Sequence, residues 1–287
     1  MTGSQPPGFV FAMTELTLGR FTLPLHAPLI MGIVNLTPDS FSGDGLSADV
    51  DRAIAHARQQ REAGADILDL GAESSRPGAD PVCEADELAR LLPVLEEVLT
   101  WGVPVSVDTY KPGVMARVLA LGVDLINDIN ALRAPGALAA LAASRASVCL
   151  MHMQGEPGSM QQAPAYGDVV QEVGDFLAGR VAACRAAGVG DERLILDQGF
   201  GFGKTLDHNV ALFRALPALR RTLALPWLVG VSRKSMLGGI TGQPVGDRLA
   251  ASVSAAVVAA GLGAQILRVH DVAETRDALK VWACLGK

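Results

Sequence analysis

The chain has 287 residues, 49% of them apolar, with 24 Lys+Arg against 30 Asp+Glu and a net charge of −6. That length can bury one large core, and eight-fold barrels commonly run to about 250 residues. The acidic balance excludes a general nucleic-acid binder, which needs a basic face, but leaves room for a local cationic pocket.

The opening MTGSQPPGFVFAMTE lacks the basic start and apolar run of a secretion signal. No apolar run reaches about 18 residues without polar interruption, so no membrane span is expected. A soluble, cytoplasmic protein follows, in which the sequon Asn35-Leu36-Thr37 is accidental. Cys83, Cys149, Cys184 and Cys284 form no C-x-x-C pair and are expected to be small buried hydrophobes in a reducing compartment.

Residues 9–24 (FVFAMTELTLGRFTLP) predict a short β-hairpin over the N-terminal mouth of whatever follows. Short Val-, Ile- and Leu-rich runs then alternate with amphipathic stretches. Strands are predicted at 29–36, 66–73, 104–109 and 125–130, then at 147–152, 194–199, 227–232 and 265–271. Each is apolar until its last residues, as a parallel strand covered on both faces should be. Between them, 49–63 repeats Ile54, Ala57 and Arg61 on one face, and 84–100 stripes Leu88, Leu91, Leu92, Leu95 and Leu99. Helices should end at Ala63-Gly64, Leu121-Gly122 and Ala187-Gly188. Eight such units close a (β/α)8 TIM barrel over about 29–285, and the chain reads as one domain spanning 1–287. An open doubly wound sheet is the competing arrangement, but it would gather polar residues at one switch point rather than at nearly every strand end.

Those strand ends carry Asn35, Glu73, Asp108, Asn127 with Asp128, His152, Asp197, Arg233 with Lys234, and Arg268 with His270. Any one of them could belong to a structural ion pair; eight strand ends agreeing is harder to explain that way, because buried charge is costly. Arg268, His270, Arg76, Asn35 and the loop Thr37-Pro38-Asp39-Ser40 suit an anion with a metal. Asp108, Asn127 and Asp197 suit a planar heterocycle presenting several N–H donors. The run Gly199–Thr205 (GFGFGKT) is neither a Walker loop, since Gln198 stands where Gly is needed, nor a dinucleotide fingerprint, since Lys204 does. It is either a plain turn after a strand or a place where backbone and Phe202 approach a flat ligand. Met151-His152-Met153 could suggest a soft-metal site, although a packed strand end is the plainer account.

Met31–Ser42 (MGIVNLTPDSFS) and Gly71–Gly78 (GAESSRPG) resemble the two N-terminal signatures of the dihydropteroate synthases. So do Ser106–Thr109, Ile126–Ile129, Leu150–Gly155, Gly199–Lys204, Ser232–Ser235 and Arg268–Asp271, in the family's order, over roughly residues 29–280. The resemblance implies condensation of 6-hydroxymethyl-7,8-dihydropterin diphosphate with 4-aminobenzoate, giving 7,8-dihydropteroate and pyrophosphate. It also implies a Mg²⁺ cofactor, a homodimer and a sulfonamide target.

Carried onto matching positions, the resemblance places the pterin on Asp108, Asn127, Asp197 and Lys234, with Met151 and Ile129 against its ring. The diphosphate falls to Asn35, Ser75, Arg76, Arg268 and His270, with the metal near Asn35. The 4-aminobenzoate falls to Pro77, Phe202, Lys234 and Ser235. Asp108, Lys234, Arg268, His270, Asp39 and Arg76 are the implied catalytic set. A pterin-dependent methyltransferase on the same barrel would not need the diphosphate residues. A non-catalytic pterin binder would have lost its loops. The chain departs from the family's usual pattern at Ser75, at Gln198 and at Gly43-Asp44.

Overall fold

Each of the eight apolar runs forms a strand, and their hydrogen bonding closes. A computed structural model describes residues 14–37, 46–74 and 81–286. The barrel strands are β3 (Leu29–Asn35), β4 (Ile67–Gly71), β5 (Val105–Asp108) and β6 (Leu125–Asp128), followed by β7 (Ser147–Met151), β8 (Leu194–Asp197), β9 (Trp227–Val229) and β10 (Ile266–Val269). They are all parallel and follow chain order round the ring, with β10 pairing both β9 and β3. Several predicted ends, among them Glu73 and His152, lie just past the strands and begin the loops.

Helices return the chain between strands: α1 (Leu46–Glu62), α2 (Glu84–Val98), α3 (Pro112–Ala120), α4 (Ala137–Ala142) and α5 (Val169–Ala186). They continue with α6 (Leu206–Thr222), α7 (Ser235–Thr241), α8 (Leu249–Gly261) and α9 (Val272–Leu285). Glycines 64, 122 and 188 all take the left-handed conformation expected where these helices end. In α2, Leu91, Val94, Leu95 and Val98 are buried, while Leu88, Leu92 and Leu99 of the predicted stripe are half-buried at its edges. In α1, Ala57 is buried but Arg61 is exposed, its guanidinium 5.8 Å from the ring of Trp101. Two cysteines correct the expectation of burial. Cys149 and Cys184 are buried, whereas Cys83 and Cys284 are exposed. Cys83 is the N-cap of α2, its Sγ accepting from the Asp86 N–H at 3.4 Å, which is a surface task.

Side chains alternate across each strand. One set, including Ile30, Leu68, Val107, Ile126, Leu150 and Leu196, packs outward on the helices. The other points into the barrel, and its lower layer is apolar: Met31, Ile67, Leu125, Cys149, Ile195, Leu228 and Ile266. The hairpin β1 (Glu15–Leu18) and β2 (Phe21–Pro24) plugs this end, with Leu16, Leu18 and Leu25 in the same cluster. Residues 9–13 of the predicted hairpin lie outside the described residues. Ser147 Oγ donates to the Thr17 carbonyl at 2.9 Å and Asp124 pairs with Arg20 at 3.1 Å, so polar contacts fasten the plug at its rim. With one end sealed by leucines, chemistry is confined to the other.

Candidate active site

The upper inward layer is polar. Asp108 stands beside Asn127 in the β5–β6 register, and Met151 beside Asp197 in the β7–β8 register. Arg268 of β10 reaches across to them. Its Nη2 donates to Asp108 Oδ2 at 2.8 Å and its Nε to Asp69 Oδ2 at 2.6 Å. Burial pushes Asp108 up to about 7; Arg268 pulls it back, while Asp69, Glu87 and Asp128 push it further up. Arg268 is desolvated too, yet Asp69 first and then Asp108 hold it above its ordinary value. The guanidinium therefore stays charged, while the Asp108 carboxyl is held near neutrality.

Asp197 is buried, and its carboxyl is raised by that burial against the pull of Lys234 and of the Gly199 N–H, which donates to Oδ1 at 2.7 Å. Lys234 is drawn down to about 8, by burial first, with Asp197 opposing it. Its Nζ donates to the Phe200 carbonyl at 2.6 Å and lies 4.8 Å from the centre of the Phe202 ring. Phe202, Ile129 and Met151 form one apolar cluster with Met153 and Met160. Thus carboxylates and an amide share the mouth with an apolar cluster, Met151 standing directly beside Asp197. A cavity of about 210 Å³ opens beside Asp108 and Ile129 and continues past Tyr110 to Glu73 and Glu156.

The glycine run owes its shape to close backbone approach. A Cβ at Gly199 would stand 1.9 Å from the His152 carbonyl oxygen, so β7 and this turn touch backbone to backbone. Lys204 then caps the turn from within. Its buried Nζ meets the carbonyls of His152, Gly199 and Phe202 at 3.2, 2.9 and 3.0 Å, and His152 Nδ1 at 3.0 Å. Burial and the Lys204 charge push His152 down to about 3, and it packs edge-on against Phe176, so it is a neutral packed ring just past β7. Gln198, one of the departures noted above, turns away from the site and donates to the Leu212 carbonyl at 2.7 Å, leaving the Asp197 turn intact.

Adjacent polar pairs split between faces, by strand alternation for Asn127 and Asp128 in β6 and by a left-handed turn ahead of α7 for Arg233 and Lys234. Lys234 points in, whereas Arg233 turns out to an ion pair with Asp271 and holds a left-handed backbone, φ 59°. Asn127 points in, whereas Asp128 accepts from the N–H groups of Asn130 and Leu132 at 2.7 and 2.6 Å and shapes the following loop. Asn35 is half-buried at the end of β3. Ser235 is exposed at the first position of α7. His270 sits beside Ser232, Nδ1 to Oγ at 3.0 Å. Asp39, Ser75, Arg76 and Pro77, with Gly43 and Asp44, lie outside the described residues.

Several residues were missed by sequence reasoning. Asp69 is the one charge inside an apolar strand run (ILDLG), and that interruption was the available signal. Lys111 binds Glu73 at 2.5 Å and Glu87 at 2.6 Å, while Glu73 Oε1 also accepts from the Val82 N–H and the Tyr110 hydroxyl. Nothing in the spacing of residues 73, 87 and 111 announces that cluster.

Inward carboxylates, an amide and two cations at the C-terminal mouth of a parallel barrel, beside an aromatic and thioether cluster, have the placing of a barrel enzyme's site and the chemistry to accept a flat heterocycle rich in N–H donors. The sequence pattern described as pterin binding enzyme matches residues 31–270. The chain is 53% identical over 274 residues to dihydropteroate synthase of Neisseria meningitidis serogroup B, covering 93% of this chain and 96% of that one. The Xanthomonas albilineans dihydropteroate synthase with 4-aminobenzoic acid superposes with a TM-score of 0.89 at 48% identity, over 95% of this chain and 98% of that one. The Burkholderia cenocepacia enzyme complexed with 7,8-dihydropteroate gives 0.87 at 49%, over 95% and 96%. The chain belongs to the pterin-binding enzymes, and among them to the dihydropteroate synthases.

Proposed function

We propose that this chain condenses 6-hydroxymethyl-7,8-dihydropterin diphosphate with 4-aminobenzoate to give 7,8-dihydropteroate and pyrophosphate, in the cytoplasm. The observation that carries the reading is the inward convergence of Asp108, Asn127 and Asp197 beside Arg268 and Lys234. Carboxylates accept two N–H groups side by side, as the edge of a pterin presents them. In the proposal, Asp108, Asn127, Asp197 and Lys234 take the ring's polar edge, and Ile129 and Met151 take its face. Phe202, Pro77 and the stem of Lys234 line the 4-aminobenzoate site, with Ser235 at its carboxylate.

Asn35, Arg268 and His270, with Ser75, Arg76 and Asp39, are proposed for the diphosphate. The donor set fits a Mg²⁺ carried on substrate. Among the described residues no three His, Cys, Asp or Glu side chains gather as a metal cage. Mg²⁺ on a diphosphate needs few protein oxygens, since phosphate and water supply most of its ligands. Asn35 would contribute its amide oxygen, and the bound metal would neutralise charge on the departing pyrophosphate. Arg268 adds a fixed positive charge beside the departing oxygens. Asp108, ionised, stabilises positive charge growing on the pterin methylene, and Lys234 orients the incoming arylamine. The protein positions and stabilises charge; no step calls for a covalent nucleophile.

A homodimer is proposed through the face of α7 and α8. Ile240, Val245, Leu249 and Val258 are 59%, 56%, 41% and 52% exposed, while Ala256, Ala259 and Ala260 of the same α8 pack on the barrel. Sedimentation of wild type against Val258→Glu tests this; a monomeric wild type would refute it.

The deciding experiment is pyrophosphate release from the dihydropterin diphosphate, with and without Mg²⁺ and 4-aminobenzoate. Release that requires both, with dihydropteroate formed, is expected. Pterin binding without turnover would overturn the assignment of these residues to catalysis.

A further inference from the structure

One carboxylate of the site has no task in the scheme above. Asp69 lies mid-way along β4 with no exposed surface and points inward, one layer below Asp108; the ladder sets it opposite Ser106, and Gly71 opposite Asp108. It holds Arg268 through Nε, while Asp108 holds the same guanidinium through Nη2. Arg268 is therefore shared between a carboxylate that solvent does not reach and one at the floor of the mouth. Packing does not require this arrangement, since an apolar residue would fill the space at lower desolvation cost. Nor is it a saturated network: among the described residues, Asp69 Oδ1 and Ser106 Oγ have no hydrogen-bond partner.

We propose that Asp69 is a positioning residue of the reaction: it anchors the Arg268 guanidinium by its inner edge, so that Asp108 can turn its oxygens to the pterin N–H groups. The proposal rests on the reading of Asp108 as a pterin acceptor. Without the negative charge at Asp69, Arg268 is left to Asp108 alone. A guanidinium and a carboxylate then form the two-pronged pair that competes with the ligand for the same oxygens. Asp108 faces Arg268 from β10, Asp69 from β4, Glu87 from α2 and Asp128 from β6, with the charge of Lys234 also acting on it. Removing one of those negative charges lets Asp108 ionise at lower pH.

Asp69→Asn tests the idea, because the amide keeps the size and an acceptor for Nε but loses the charge. Affinity for 6-hydroxymethyl-7,8-dihydropterin is measured by calorimetry on both sides of neutrality, with kcat and KM for both substrates. On the alkaline side, where Asp108 is ionised in both proteins, affinity should fall about tenfold, within the usual range of coupling between neighbouring groups. The acid limb of binding should move to lower pH, and the KM for 4-aminobenzoate should not change. In an Arg268→Met background, Asp69→Asn should add no further loss of affinity. If the amide variant does not fold, Asp69→Ser, with space for water at Nε, carries the same expectations. Unchanged affinity with an unmoved limb, or full additivity with Arg268→Met, overturns the proposal alone. Wild type that binds no dihydropterin overturns the functional reading and this proposal with it.

Discussion

Lys111 is the cation on which two carboxylates depend, and its removal should be among the most damaging single changes in the barrel. Lys111 and Glu73 side chains are 13% and 10% exposed and Glu87 is 0% exposed, so water cannot replace the lost partner at Glu87. Glu87 Oε1 already has no hydrogen-bond partner among the described residues. Lys111→Met therefore leaves an uncompensated buried charge, at a cost of about 3–5 kcal/mol. Glu73 suffers less, since the Val82 N–H and the Tyr110 hydroxyl stay on Oε1 at 2.9 and 3.2 Å. Urea unfolding of Lys111→Met should show that loss, and Lys111→Met with Glu87→Leu should recover most of it. Burial pulls Lys111 down, but the hydrogen bonds it donates to Glu73 and Glu87, and their charges, outweigh that and hold the ammonium above its ordinary 10.5. Its contribution is thus complete below about 10.5 and is lost as pH rises from there through the raised value. A single variant within about 1 kcal/mol of wild type would refute the account, because only a solvated pair costs so little.

Asp108→Asn should lower kcat far more than pterin affinity, by roughly 10²-fold or more, since it removes charge needed in the transition state; equal losses in both would argue for a binding role alone. Asp108 ionises at about 7 in the unliganded protein, so dihydropterin affinity should rise with pH through about 7 and level off above it. The same raised value gives stability the opposite slope: the folded state holds the proton more tightly than the unfolded, and stability falls as pH climbs from 3.8 towards about 7. Phe202→Ala should raise the KM for 4-aminobenzoate with little change in pterin affinity, measured by steady-state kinetics. Leu18→Ala, at a fully buried plug position, should cost about 2–5 kcal/mol in thermal unfolding while leaving the mouth chemistry intact.

The order of the elements, the barrel class and most of the proposed site residues were legible in the chain alone. Apolar runs with polar ends, alternating with amphipathic stretches and closed by Ala-Gly or Leu-Gly, are local patterns that need no knowledge of neighbours. Asp108, Asn127 and Asp197 stand at strand ends for that reason, Lys234 follows in the loop after β9, and barrels put their chemistry in both places. Tertiary structure decided what no local pattern encodes. Alternation in β6 separated Asn127 from Asp128, and a left-handed turn before α7 separated Lys234 from Arg233, sending one of each pair to the site and the other to a loop or an outer ion pair. Closure of the ring brought Arg268 of the last strand between Asp69 and Asp108, 199 and 160 residues away in sequence. The exposure of Cys83 and the fate of His152 as a packed neutral ring were also set by neighbours, through a cap in one case and through Lys204 and Phe176 in the other. Spacing along the chain names which side chains share a face; only the closed ring determines which charges meet and which of them water still reaches.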